Sequence, residues 1–184
     1  MPTTRRLILA GGVALASGAA PLVAAAASRR ELTADGLRAL HKLEDTEPRA
    51  RRLAARARAV LVFPQIIKAG FVFGGETGDG VLLIHGAPDR FYNISGGSWG
   101  LQIGGQTFGL AIFFMTDSAL RYLRQSAGFS IGTGPSIVVV GAGAGAQADT
   151  TTLTQDAYAM PFNQKGLMAD LTLQGNKITR IHPD

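Results

Sequence analysis

The sequence predicts an α+β fold, with N-terminal helices packed on a curved, mainly antiparallel β-sheet that is barrel- or sandwich-like. Three observations point there. Helical periodicity is concentrated in residues 28–59, with one short later stretch. From Val60 onward, apolar runs of strand length alternate with glycine-rich or polar turns. Few helices separate those runs, which favours antiparallel neighbours over parallel crossovers. At 184 residues and 46% hydrophobic, the chain is long enough for one domain with a sizeable core.

The first 27 residues read as a leader rather than as part of that fold. Arg5-Arg6 is a short positive region, Leu7 to Ala20 is apolar and uncharged, and Ala24 to Ala27 supplies small residues for cleavage after Ala26 or Ala27. Thr4-Arg5-Arg6-Leu7-Ile8-Leu9 resembles a twin-arginine signal, and a general secretory signal fits almost as well. The expectation is an exported, periplasmic protein, soluble or peripheral on a membrane. Residues 28–184 then form a single domain, helical over 28–59 and β-rich over 60–184.

The elements follow in order. Ser28 and Glu31 have capping-box spacing, and Leu32, Leu37, Leu40 and Leu43 continue at roughly helical intervals. Thr46-Glu47-Pro48 reads as a stop and restart, with Thr46 as N-cap and Pro48 in the first turn of a second helix running to about Ala59. Val60 to Phe63 is a strand closed by Pro64. Phe71 to Phe73 and Val81 to Ile84 are strands around a glycine turn over residues 74–80, and His85 to Asp89 is another turn. Phe91 to Ser95, the alternating Trp99, Leu101 and Ile103, and Thr107 to Met115 continue the sheet. Thr116 caps a helix that ends at Gly128. Ile137 to Val140, Thr150 to Thr154, Ala157 to Met160, Leu167 to Leu173 and Lys177 to Ile181 complete the strands, with Gly141 to Asp149 as a small-residue loop.

Charge is distributed unevenly. The formal net charge is +5; residues 28–60 hold nine basic and five acidic groups, whereas residues 61–184 hold seven basic and eight acidic. Within the second predicted helix, Leu53, Ala50, Ala54 and Ala57 share one apolar arc. Arg49, Arg52 and Arg56 line one border of it, and Arg51 and Arg58 the other. An arc of mostly alanine inserts weakly, so this pattern suits reversible, salt-sensitive adhesion to an anionic surface. It suits equally a helix packed on its domain with solvated arginines.

Several segments together resemble the SYLF domain family. They are Ala59-Val60-Leu61-Val62-Phe63-Pro64 with Lys68-Ala69-Gly70-Phe71 and Gly74-Gly75; Gly97-Ser98-Trp99-Gly100-Leu101-Gln102-Ile103-Gly104; Phe114-Met115-Thr116; and Gly166 to Leu173 with Gly175-Asn176-Lys177-Ile178. The resemblance runs from about residue 35 onward. It implies a non-catalytic domain that binds lipid, phosphoinositides in eukaryotic members, and in some members actin. It also implies that binding lies in the N-terminal basic region, here Arg49, Arg51, Arg52, Arg56, Arg58 and Lys68. For an exported member the expected partner is anionic phospholipid or a membrane surface. The alternative is a structural or protein-interaction domain meeting an acidic partner.

Other chemistries are weakly signalled. Gly96-Gly97-Ser98-Trp99-Gly100 satisfies the Gly-x-Ser-x-Gly pattern, and Asp149, Asp156 or Asp170 followed by His182 gives a hydrolase chain order. A nucleophile elbow must lead from strand into helix, however, and Ser98 is followed by strand-like alternation. A serine hydrolase at Ser98 is thus a distant alternative. Gly141 to Gly145 lacks the Lys-Ser/Thr of a phosphate loop. Cys is absent, and His41, His85 and His182 lack metal-ligand spacing. No cofactor, metal or nucleic acid is expected.

Overall fold

The computed structural model describes residues 28–70, 73–99, 104–126, 129–130, 134–140, 154–165 and 175–184. The expected leader, the 141–149 loop and the strand segments expected at 101–103, 150–153 and 167–173 lie outside the described residues.

Helix α1 (Arg29–Thr46) begins at the expected capping box. Ser28 Oγ accepts from the Glu31 amide, and the Glu31 carboxylate accepts from the Ser28 amide at 2.9 Å. Hydrogen bonds donated by the Ser28 amide and by its hydroxyl hold the Glu31 carboxyl below its ordinary value. Leu32, Gly36, Leu40 and Leu43 form the buried face. Gly36 allows the close approach to the sheet, since a Cβ there would collide with the Val81 side chain.

The junction with α2 (Pro48–Ala54) differs by one residue from expectation. Thr46 is the last residue of α1, and its hydroxyl donates back to the Lys42 carbonyl at 2.8 Å. Glu47 instead ends α1 and caps α2, accepting from the Arg49 amide. Helix α2 also stops well short of Ala59. Arg58 N–H donates to the Phe114 carbonyl at 2.8 Å, and strand pairing takes over from there.

The strands are β1 (Ala59–Gly70), β2 (Phe73–Ile84), β3 (Ala87–Trp99), β4 (Gly104–Phe114), β5 (Phe129–Ser130), β6 (Ile137–Val139), β7 (Ala157–Lys165) and β8 (Lys177–Ile181), with helix α3 (Asp117–Gln125) between β4 and β5. They form one eight-stranded sheet in the order β5-β8-β3-β2-β1-β4-β7-β6. Among the described pairs only β6–β7 is parallel, as the mainly antiparallel expectation required.

Two expected breaks are continuous strand. Pro64 does not close β1. The register shifts between Phe63 and Ile66 against β4 and between Val62 and Ile67 against β2, so the proline sits in a bulge where no amide donor is required. The glycines of residues 74–80 do not turn the chain either; they lie within β2, all paired with β3, with Gly74 and Gly75 paired with β1 as well and Gly78 and Gly80 opposite its bulge. A Cβ on Gly78 would come within 2.6 Å of the Gln65 carbonyl oxygen, and one on Gly80 within 2.5 Å of the Val62 carbonyl oxygen. These glycines answer close approach by bulged β1. The actual tight turn is His85-Gly86, both at positive φ.

The sheet curls because of its connectivity. β5 and β6 are neighbours in sequence yet lie at opposite edges. Laid flat, eight strands at about 4.8 Å spacing would separate the outermost two by about 34 Å. The chain from Ser130 to Ile137 can span at most about 25 Å. The edges must therefore curve toward each other.

One face of the curved sheet packs with Leu40, Leu43, Ala50 and Leu53 of α1 and α2 against Val60, Val62, Val81, Leu83 and Phe113. The other gathers Leu61, Phe63, Leu82, Tyr92, Ile94 and Phe108 with Ala119 and Leu123 of α3. Thr116 caps α3 as expected, accepting from the Ala119 amide at 3.2 Å and donating to Asp156 at 3.0 Å. Thr116→Ala should cost about 1–2 kcal/mol, measured by urea denaturation, because it removes the cap and frees a part-buried carboxylate.

A polar row crosses the sheet near the end of β1 and the start of β2. Lys68 on β1 lies opposite Glu76 on β2 and Gln106 on β4. Asn176 Nδ2 donates to Glu76 Oε1, over Gly96, where a Cβ would collide with the Asn176 side chain. Lys68, Glu76, Gln106 and Asn176 are all buried, at 5%, 8%, 3% and 4% exposure.

Candidate anionic-surface site

The arginine cluster is positioned by what α2 buries. Ala50 and Leu53 turn inward, at 0% and 1% exposure. Seven residues of helix leave Arg51 and Arg52 exposed and Arg49 half-buried. Arg56 and Arg58 follow in the turn, not on the helix. The Arg56 and Ala57 amides both donate to the Leu53 carbonyl, at 3.1 and 2.9 Å. That turn keeps both arginines exposed despite the early end of the helix.

The two expected borders prove chemically different. Arg51 donates to the Glu44 carbonyl at 2.9 Å and faces Asp45 at 3.8 Å. Arg58 faces Asp117 at 3.6 Å. Arg49, Arg52 and Arg56 form no ion pair among the described residues. Exposed pairs such as those of Arg51 and Arg58 are worth about 0–1 kcal/mol, so they can be exchanged for other anions at small cost. Burial raises the Glu44 carboxyl above its ordinary value, against the opposing pull of His41 and Arg51. The sequence signalled the arginines but not their carboxylates, because Asp117 arrives from α3.

Lys68 does not join the cluster. It lies about 30 Å along β1 from Ala59 at strand rise. Its ammonium is buried 3.9 Å from a Glu76 carboxylate oxygen instead of facing a surface. The inclusion of Lys68 among the surface cations is therefore corrected. Its neighbour Ile67, at 50% exposure, takes the outward position on the strand.

The hydrolase arrangement is not assembled. Ser98 lies within β3 opposite Gly74, and the next described element is strand β4. His182 follows Ile181, which pairs with Phe91 at the other end of β3, about 23 Å from Ser98 at strand rise. Asp156 is engaged by Thr116 and by the Ser136 amide. Asp149 and Asp170 lie outside the described residues. Among the described residues no helix is long and apolar enough to cross a membrane.

Comparison with known families places the second half of this architecture. The family model described as Ysc84, Las17-binding protein actin regulator, matches residues 95–182. No curated protein matches the chain. The match runs from within β3 to just beyond β8, slightly under half of the chain, and leaves the arginine cluster outside it. It agrees with the resemblance carried by residues 97–104, 114–116 and 166–178: residues 95–182 are similar to the Ysc84, or SYLF, family, a family of binding and regulatory domains.

Proposed function

We propose that this protein is a non-catalytic domain that adheres to anionic phospholipid at a membrane surface through Arg49, Arg52 and Arg56, with Arg51 and Arg58 at the flank. The observation that carries this reading is the set of three arginines without ion-pair partners among the described residues, held outward by buried Ala50 and Leu53. The same patch suits an acidic protein partner, and the family's description as Las17-binding favours keeping that second reading. Export to the periplasm, directed by residues 1–27, belongs to this proposal and places the protein beside phosphatidylglycerol-bearing membranes.

Each arginine near an anionic surface contributes on the order of 1 kcal/mol. The chain should therefore cosediment with phosphatidylglycerol vesicles and weakly with neutral phosphatidylcholine vesicles. Raising salt from about 50 to 500 mM shortens the Debye length from over 10 Å to about 4 Å and should release it. Replacing Arg49, Arg52 and Arg56 with Gln should weaken binding on the order of a hundredfold, with the fold unchanged by circular dichroism. The Arg51→Gln/Arg58→Gln variant should lose less, because those cations are partly neutralised already. If the five-fold Gln variant binds like the unaltered chain, the cluster is not the site. Capture of an acidic protein with no vesicle binding would favour the second reading.

A further inference from the structure

A second basic region lies away from α2, where the start of α1 crosses β3 and β8. Arg29, Arg30 and Leu37 of α1 face Arg90 and Phe91 of β3 and Arg180 of β8 across a groove of about 550 Å³. That volume falls within the roughly 300–1,000 Å³ of small-ligand pockets and is too small for a folded partner. Its walls differ in character. Ala34, Leu37, Pro88, Phe91 and Ile181 supply an apolar floor. Four arginines and His182 stand around it against one carboxylate, Asp89.

That carboxylate is already shared. Asp89 contacts Arg90 and Arg124, each at 3.4 Å, so it offers little further neutralisation. Arg29 is held in place as part of the wall: its Nε donates to the Pro183 carbonyl at 3.0 Å, and its guanidinium lies 5.9 Å from the centroid of the Phe91 ring. Arg30 and Arg180 are exposed and form no ion pair among the described residues. In the first turn of α1 the Glu31 amide donates to Ser28 and the Arg29 amide to the Asp184 main-chain oxygen at 2.9 Å, so an anion in the groove meets side chains and not these amides.

From this combination we infer that the groove binds one single-chain anionic amphiphile of the fatty-acid class. Its carboxylate meets Arg30 and Arg180, and its chain lies along Leu37, Phe91 and Ile181. Charge selects the head, since a guanidinium matches a carboxylate geometrically. The apolar floor selects a tail, which distinguishes this ligand from a free inorganic anion. The inference does not depend on the α2 cluster, whose arginines do not line this groove.

The test is calorimetric titration of the full chain with dodecanoate below its micelle concentration. Acetate serves as the head alone, and dodecyltrimethylammonium as the tail with opposite charge. Dodecanoate should bind at one saturable site, with acetate and the cationic amphiphile at least tenfold weaker. Arg30→Glu/Arg180→Glu should lower dodecanoate affinity at least tenfold, while the Arg49, Arg52 and Arg56 Gln variant should bind it unchanged. In the unaltered chain, the methyl NMR signals of Leu37 and Ile181 should shift on titration, which locates the ligand without any substitution. Absence of saturable binding, equal binding of the cationic amphiphile, unshifted Leu37 and Ile181 methyls, or full affinity in the charge-reversed variant would each overturn the inference. Loss of dodecanoate binding in the α2 variant alone would move the site to the helix and overturn it too.

Discussion

Lys68→Met should destabilise the protein by about 3–5 kcal/mol at neutral pH, read from the urea midpoint. The substitution keeps most of the apolar stem but leaves Glu76, at 8% exposure, without its counter-charge. Breaking one side of a buried pair costs about that much, because the remaining charge cannot return to water. The double variant Lys68→Met/Glu76→Gln should recover to within about 1 kcal/mol of the unaltered chain, since removing both charges also removes their desolvation. Acid tests the same row independently. Burial raises the Glu76 carboxyl, with Lys68 and Asn176 pulling the other way. The folded state therefore keeps a proton that the unfolded chain has released. Stability from this group is full below the ordinary carboxylate value of 4.5 and falls as pH rises from there through the raised value. That slope should flatten in the double variant.

Gly80→Val should cost about 3 kcal/mol and lower Tm by roughly 6–12 °C in a chain of this size. A Cβ at Gly80 would stand 2.5 Å from the Val62 carbonyl oxygen, and backbone in a paired strand cannot move aside cheaply. Valine favours strands by up to about 1 kcal/mol, too little to offset the collision. Gly97→Val supplies the contrast. Nothing lies within 4 Å of a Cβ there, and the position is exposed on β3. It should be neutral or slightly stabilising. If both variants melt alike, close approach is not why glycine stands at position 80.

These two sites also mark where the sequence stops being readable. The capping box of Ser28 and Glu31 and the Thr116 cap were legible, because each signal and its structural partner lie within one helical turn. The strand-length apolar runs of β4 and β8 were legible for the same local reason. The glycines of β2 misled, since turn chemistry and close approach by a neighbouring strand leave the same residue in the sequence. Only the bulge at Pro64 and Gln65, on a different strand, separates the two causes. The Ala-Arg run after Leu53 is helical by propensity as far as Ala59, yet Arg58 takes its backbone partner from Phe114, more than fifty residues away. The arginine cluster survived that error because turn and helix alike expose long cationic side chains. Lys68 did not, since its counter-charge depends on strand register and its third neighbour on Asn176, a hundred residues from Glu76.

The strand order also fixes a sequence of assembly. β3, β2, β1 and β4 are mutual neighbours made consecutively from residues 59–114, and they can form a four-stranded sheet early. That intermediate has two open edges, along Phe91–Ser95 and along Thr107–Phe114. The segment carrying β5 and β6 follows in the chain but cannot reach its final place, since β5 pairs with β8 and β6 with β7. Both receiving strands come later, at residues 157–165 and 177–181. Such long-range pairing slows folding, and unpaired edges invite pairing between chains. During synthesis the nascent sheet is therefore exposed to edge-to-edge association until β7 and β8 have been made, and each new strand closes an edge of its own.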